Sequence, residues 1–328
     1  TNSATSAEHL AFHLLKKPHG DWEGMSPGDE VLATPLTCTA SNFPILANGF
    51  KIKWVDVDPH TLNMDLDDLA RKITPKTKAI MVVHWGGYPN DLDKIKLIQE
   101  QAYARMGIKP VVIEDCAHSF GSTYKGKPLG THGNICTYSF QAIKHMTSVD
   151  GGMLVVPHAE LERRAKLLRW YGIDREGARG DFRCEEDILE WGYKFHMNDV
   201  NATFGISNME IVGDCLAKHQ SNAKYYNKNL QNVEGVTLLE NNEDRESAYW
   251  IYTIKVDNRD KFMKHMESKG IMVSRVHERN DLHSCLVESK ALLPSLEGVV
   301  KTMVCIPVGW WVTEKDREFI VEAIKEGW

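Results

Sequence analysis

The sequence has no run of about 20 consecutive apolar residues, the length a membrane-crossing helix needs. Its longest apolar stretches, Ala79 to Val83 and Met153 to Val156 among them, are strand-length, so no membrane partner is expected. Excess positive charge is missing as well. Lys and Arg total 39 against 45 for Asp and Glu, a formal net charge of −6. Nucleic-acid recognition draws on clustered cations, and no nucleic-acid partner is expected. Cysteine is sparse and unpatterned: the seven (Cys38, Cys116, Cys136, Cys184, Cys215, Cys285, Cys305) are odd in number, far apart and without a C-x-x-C. Buried thiols are therefore expected rather than a disulfide framework. No secretory signal opens the chain, which makes the cytoplasm the expected location. The start at Thr1 rather than Met leaves an upstream segment open. Fourteen histidines show no zinc-like set with the cysteines, and no metal is expected. Linkers rich in Pro, Ser or Gly, low-complexity tracts and internal repeats are also absent.

What is present is the composition of a globular protein, 42% hydrophobic and 26% charged over 328 residues, enough chain for about two domains. Glu30–Ala33, Ile52–Val57, Ala79–Val83, Val111–Glu114, Ile135–Ser139 and Gly152–Val156 are predicted strands. They are apolar on both faces, as strands of a mostly parallel sheet covered on both sides must be. Helical patterns lie between them. Pro89-Asn90-Asp91 gives a start signal, Ile95, Ile98 and Ala102 an apolar face, and Gly107 with Pro110 a stop. This alternation predicts an α/β layer with right-handed crossovers over residues 1–213. A long helical run from Asn198 to Leu230 leads into a smaller α+β domain, 214–328, with strands Val236–Leu239, Trp250–Val256 and Ile271–Ser274 and a helix near Asp260–Lys269. The final helix opens on a capping box, Thr313-Glu314-Lys315-Asp316.

Ligands of open α/β sheets bind beyond the carboxyl ends of the strands. Three stretches there stand out. Val111 to Asp115 ends in two carboxylates and continues into Cys116-Ala117-His118; Asp115 serves equally as a helix cap. Tyr138-Ser139-Phe140-Gln141-Ala142-Ile143-Lys144 brings a hydroxyl and an ammonium to a strand end, followed by Asp150-Gly151-Gly152; a loop lysine is ordinarily just solvated. Asn2-Ser3-Ala4-Thr5-Ser6 precedes an amphipathic helix, where free N–H groups suit a phosphate or ordinary capping. Together they offer an anion site, a carboxylate and a lysine. That set suits pyridoxal 5′-phosphate: an imine-forming lysine, a carboxylate that keeps the pyridinium nitrogen protonated, and donors for the phosphate.

The chain resembles the DegT/DnrJ/EryC1/StrS sugar aminotransferases. The resemblance runs over nearly its whole length, through SATSAEHLAFHLL, SPGDEVLATPLTCTASN, VIEDCAHSFGSTYKGKPLG, YSFQAIKHMTSVDGG, GYKFHMNDVNATFG and IPVGWWVTEKD. It implies a pyridoxal-phosphate enzyme of the aspartate-aminotransferase fold (fold type I) that moves an amino group, with glutamate the donor, to a nucleotide-linked keto sugar. It makes Lys144 the Schiff-base lysine and general base, Asp115 the partner of the pyridinium nitrogen, and His118 a residue beside the ring. Ser139, Thr5 and the backbone N–H of Ser6 become phosphate ligands.

Three departures qualify this. Cys38 stands where many members place an aromatic residue that stacks on the ring. Lys194 and His196 occupy the stretch Gly192 to Asp199, through which the neighbouring subunit usually offers an Asn to the phosphate. Thr1 falls almost at the first motif, where family chains normally have more sequence upstream. The resemblance also implies a homodimer with shared sites, and a loop from Arg275 to His283 from which His277 and Arg279 are candidates for substrate contact. Trp310 and Trp311 are expected to pack in the core or an interface. Two rival functions remain: a sugar dehydratase, in which relatives replace the lysine by histidine, and a non-catalytic cofactor-binding protein.

Overall fold

The computed structural model describes residues 1–177 and 187–328; Cys184 lies outside them. In chain order the strands are β1 (Glu30–Ala33), β2 (Lys51–Trp54), β3 (Thr77–Val83), β4 (Val111–Asp115), β5 (Thr123–Tyr124), β6 (Lys127–Pro128), β7 (Ile135–Ser139), β8 (Gly152–Val155), β9 (Val236–Leu238), β10 (Arg245–Glu246), β11 (Tyr252–Val256) and β12 (Met303–Ile306). The helices are α1 (Ala4–Leu14), α2 (Thr39–Ala47), α3 (Leu66–Lys72), α4 (Leu92–Met106), α5 (Ala159–Leu168), α6 (Asp199–Met209), α7 (Val212–Leu230), α8 (Arg259–Ser268), α9 (Pro294–Thr302) and α10 (Glu314–Lys325).

The central sheet runs β2-β1-β3-β4-β7-β8, parallel except for β8, which lies antiparallel to β7. Its inner strands carry unbroken apolar runs because they face two cores. Ala79 and Met81 of β3 enter one core with Phe12 and Leu15, while Ile80 and Val82 enter the other with Leu69, Ile95 and Ile98. Side chains alternate across a strand, so one run of apolar residues feeds both layers. Each fully buried Leu, Ile or Val of this kind is worth about 1.5–3 kcal/mol. The helix read from Asp91 is α4: the Asp91 carboxylate accepts from Lys94 N–H, and Gly107 ends the helix at φ 70°.

Antiparallel β9, β11 and β12 form a second sheet, covered by Tyr226, Phe262, Ile320 and Ile324 from α7, α8 and α10. The segment around α9 does not stay with it. Leu293, Leu296 and Val299 pack into the first large core, and β10 pairs with β5, so the C-terminal residues are tied to both layers.

Three expected elements differ. The run from Asn198 to Leu230 is two helices, Asp199–Met209 and Val212–Leu230, interrupted at Glu210 and Ile211. Ile211, Val212 and Gly213 are successive weak helix formers. The second strand is shorter than expected, Lys51–Trp54. Ile271–Ser274 meets the sheet only through Ser274, which exchanges bonds of 3.2 and 2.7 Å with Cys305. The capping box at Thr313 and Asp316 forms as read. Trp310 and Trp311 are exposed in the single chain. Of the described cysteines, Cys116, Cys136 and Cys305 are buried and Cys285 is exposed; all six are free thiols.

Candidate active site

The carboxyl ends of β4 and β7 lie side by side, with Asp115 in register with Thr137. Beyond them the chain turns into Ala117-His118 on one side and Ser139 to Lys144 on the other. The N-terminus of α1 packs against the start of β8. A Cβ on Gly152 would come within 2.3–2.5 Å of Ser3 and Ala4 backbone atoms, so only glycine permits this approach.

Asp115 is buried, and both its oxygens are engaged: Ser41 Oγ donates to Oδ2 at 2.6 Å and Ala117 N–H to Oδ1 at 2.8 Å. Ser41, in the first turns of α2, is tied in turn to Thr37 Oγ1 at 2.8 Å. These two donors fix the orientation of the Asp115 carboxyl group. Lys144 is half-buried as a residue, with its Nζ 3.4 Å from the centroid of Trp250. Burial lowers its ammonium from an ordinary 10.5 to about 8, against the opposing pull of Asp115, Cys38 and Glu8. An amine in that range exchanges protons near neutrality.

His118 stacks on Trp250 at 4.0 Å and lies parallel to His277 at 5.7 Å. Burial, then Lys144 and His277, holds it well below the usual histidine range, so it is a neutral imidazole. Its Nδ1 is buried with no hydrogen-bond partner. His277 is pushed down to about 4, by burial and then Lys144, and its Nε2 is likewise unpartnered. Cys38 sits just before α2 as its cap residue and faces Lys144. Ser139 ends β7, where its Oγ receives only a long 3.4 Å contact from Gln141 N–H.

The α1 N-terminus holds Thr5, exposed, and Ser6. The second of these is not free. The Ser6 N–H already donates to Ser3 Oγ at 3.0 Å, so Ser3 must yield before that N–H meets a phosphate. Arg279 is also not a free cation: Asp281 binds it at 2.8 and 2.6 Å and Glu297 at 2.6 Å. Two carboxylates take three of its five N–H donors, so the guanidinium is already held in a buried ion pair. Lys194 and His196 stand apart, on the outer face around Trp170, at 3.8 Å and 3.7 Å from its ring. Tyr193 and Phe195, pointing the opposite way, pack on His9 beside α1.

Four site residues escaped the sequence reading: Trp250, Trp85, Ser41 and Glu8. Trp250 arrives from the C-terminal part, anchored by its Nε1–H to Ile143 carbonyl at 2.9 Å. Only its place as the first residue of an expected strand could have pointed to it. Two histidine groupings carry no open ligand set. His9 and His13 stand at H-x-x-x-H spacing, a pair the sequence reading passed over, and both rings meet the Tyr193 hydroxyl, at 3.1 and 2.6 Å. His84, Glu114 and Cys116 gather beneath the sheet end, but the donors and acceptors of His84 and Glu114 are already used. Asn90 N–H donates to His84 Nδ1 at 3.0 Å, His84 Nε2–H to Glu114 at 2.8 Å, and Asn134 to the other Glu114 oxygen at 2.8 Å.

A lysine and a carboxylate at adjacent strand ends, an aromatic-walled pocket with unpartnered nitrogens on His118 and His277, and a helix N-terminus seated on Gly152 define a site of the pyridoxal-phosphate transferase class. Comparison with known proteins gives the family. The profile of the DegT/DnrJ/EryC1/StrS aminotransferase family matches residues 1–325, and the chain belongs to that pyridoxal-phosphate-dependent family. It is 34% identical over 273 residues to the GDP-perosamine synthase of Escherichia coli O157:H7, covering 82% of this chain and 69% of that one. It is 29% identical to the dTDP-4-dehydro-2,3,6-trideoxy-D-glucose 4-aminotransferase of Saccharopolyspora spinosa, covering 94% and 78%. Among solved structures, AtS13 from Actinomadura melliaura aligns at TM-score 0.94 with 51% identity over 100% of this chain and 85% of that one. The sugar aminotransferase CalS13 from Micromonospora echinospora aligns at 0.94 with 48% identity over 100% and 86%. No helix among the described residues is long and apolar enough to cross a membrane.

Proposed function

We propose that the chain transfers an amino group from glutamate to the ketone of a nucleotide-linked sugar, working as a homodimer with shared sites. The observation that carries this is the pairing of Lys144 with Asp115 at neighbouring strand ends in a member of an aminotransferase family. The nucleotide-sugar substrates named for two relatives support the acceptor class. Bound pyridoxal phosphate would supply an electron sink for the carbon bearing the amine.

The rest falls to the chain's own residues. Lys144 binds the cofactor through Nζ; once displaced by the donor, Nζ carries the proton from the donor's α-carbon and later returns it on the sugar side. Its lowered proton affinity suits that two-way task. Asp115, pinned by Ser41 and Ala117, presents fixed negative charge to the ring nitrogen and favours its protonated form. His118, neutral and clustered with Trp250 and His277, bounds the ring and keeps water off it. Cys38 closes the pocket beside Lys144. Ser139, Thr5 and, once Ser3 Oγ releases it, the Ser6 N–H take the phosphate.

Those phosphate contacts contain no cation. Lys194 and His196, with Arg169 and Arg175 close by, stand on the outer face, where a second copy could receive them. The loop after β7 and helix α6 expose Ile143, Val149, Val200, Phe204, Ile206 and Met209. An apolar face of this breadth beside a site is what a two-fold interface covers. The six free thiols described support a reducing cytoplasm.

Holoprotein mixed with excess glutamate and no acceptor should shift to the aminated cofactor and release 2-oxoglutarate. Adding nucleotide-linked 3-keto or 4-keto sugars should reverse the shift for one of them. No conversion with glutamate or any other amino acid would remove the aminotransferase reading. Conversion with no return on any sugar nucleotide would remove the acceptor.

A further inference from the structure

Glu8 lies on α1, one turn inside the Ser3 cap, with only 1% of its surface exposed. Its Oε2 is buried with no hydrogen-bond partner. The charged and titratable groups facing it are Asp115 at the end of β4, Cys38 at the start of α2 and Lys144 on the loop after β7. It therefore occupies the end of the cofactor pocket that receives the ring nitrogen, and the residue roles assigned above leave it without a task.

Two adjacent carboxyls in a closed site cannot both ionise cheaply. Their surroundings decide which one keeps the proton. Asp115 receives a hydroxyl and a backbone N–H, both of which favour its ionised form. Glu8 has no such donor. Burial, and after it the negative Asp115, pushes its carboxyl well above the ordinary range. Lys144 opposes this only in part, because burial drives that ammonium toward its own neutral form.

We propose that Glu8 is a neutral acid that directs its proton to Asp115, so that the two form a one-proton carboxyl pair at the ring-nitrogen end of the pocket. The pair presents one negative charge to one ring N–H, where two carboxylates would present two. Glu8 is then a positioning residue that acts through Asp115. The inference rests on the cofactor reading above for its purpose, though the pair itself belongs to the chain alone.

Infrared difference spectra of the cofactor-free protein test the pair directly. At neutral pH the wild type should show the carbonyl stretch of a protonated carboxylic acid, and Glu8→Gln should lack it. Absence of the band in the wild type, or its survival in Glu8→Gln, overturns the proposal. A second variant guards against misfolding of the first: in Asp115→Asn the neighbouring charge is gone, so the Glu8 band should vanish at a pH lower by about one unit or more. An unchanged titration in Asp115→Asn overturns the coupling.

The loaded protein gives a further readout, the pH midpoint of the visible absorbance of the Lys144–cofactor link. Glu8→Gln replaces one neutral group by another and should leave that midpoint in place. A fall of about one unit would mean that an anion had been removed, and the neutral-acid assignment would fail. If the acid band is present but the chain takes up no pyridoxal phosphate, the pair stands and the cofactor reading falls.

Discussion

Two lysines in this protein rest on tryptophan rings, and they have little else in common. Lys144 Nζ lies 3.4 Å from Trp250 and Lys194 Nζ 3.8 Å from Trp170. Around Lys144 the polar groups are carboxyls and neutral histidines, enclosed, and burial lowers its proton affinity. Around Lys194 the arginines are cationic and open to solvent, Arg169 and Arg175, while half-buried His196 is held below the usual histidine range by burial and then Lys194. The ammonium–indole contact itself, worth about 0.5–2 kcal/mol, does not decide what either lysine does. Solvent access does. An enclosed lysine among carboxyls is a base in waiting, while an exposed one among cations is an anion ligand without an anion.

The widest gap between the two lysines should open on removing each side chain. Lys144→Ala should lower transamination on the order of 10⁴-fold, because both the covalent anchor and the proton carrier go. After borohydride reduction, peptide mapping of the wild type should find the cofactor on Lys144. A label on another lysine, or on none, sinks the assignment. Asp115→Asn should cost less, on the order of 10²-fold. The Asn carbonyl can still take Ala117 N–H and its amide can donate to Ser41, so the fold and the covalent link persist without the charge. A near wild-type rate would reduce Asp115 to a cap.

Arg279 tests the role of the substrate loop. It is 5% exposed beside Asp281 at 6%. Arg279→Met should strand Asp281 in the interior and destabilise the fold by about 3–5 kcal/mol, read as a lower urea midpoint. A loss below about 1 kcal/mol with a raised KM for the sugar would return Arg279 to the substrate.

The contrast between the lysines also marks what the sequence could convey. The sheet and its two cores were readable because Ala79 to Val83 of β3 and Val111 to Ile113 of β4 are unbroken apolar runs, a pattern that suits a doubly covered strand. Asp115, His118, Ser139 and Lys144 were readable because each directly follows such a strand, where the chain must emerge on the ligand side. Trp250 and Glu8 were not. Trp250 reaches the pocket from more than a hundred residues beyond Lys144, and Glu8 sits mid-helix where a polar residue ordinarily faces water. Arg279 did not show its ion pair for a related reason. Its partner Asp281 is two residues away, yet the burial that turns the pair into a structural lock arises from α9 packing against the large core.

Protein stability as a function of pH should separate the lysines again. The Lys144 ammonium falls to about 8 in the fold from an ordinary 10.5. Below pH 8 both states carry the charge, and the folded state bears its full cost; above 10.5 neither does. The unfolded chain binds more protons in between, so stability rises with pH across that window. Allowing for partial solvent access, the gain is roughly 2 kcal/mol. The cofactor-free wild type should show it relative to Lys144→Met, a comparison that cancels the tyrosines and other groups. Parallel curves for the two proteins would mean that Lys144 is not desolvated.

The smallest effect belongs to Lys194. Lys194→Met keeps the aliphatic stem on Trp170 and removes only the charge. If a second copy's phosphate receives that charge, cofactor binding should weaken about 5–10-fold, the scale of one partly exposed charged contact. The loss should shrink as salt rises and screens the wild type. It should also require the dimer: diluting the wild type below its dissociation midpoint, followed by sedimentation, should weaken binding by as much, and dilution should then add little to the variant. Lys194→Met combined with His196→Ala should exceed the single change if both reach the phosphate. Unchanged affinity in the double variant, in a protein that sediments as a dimer, would leave the outer patch without a phosphate to hold and the trans contact would be abandoned.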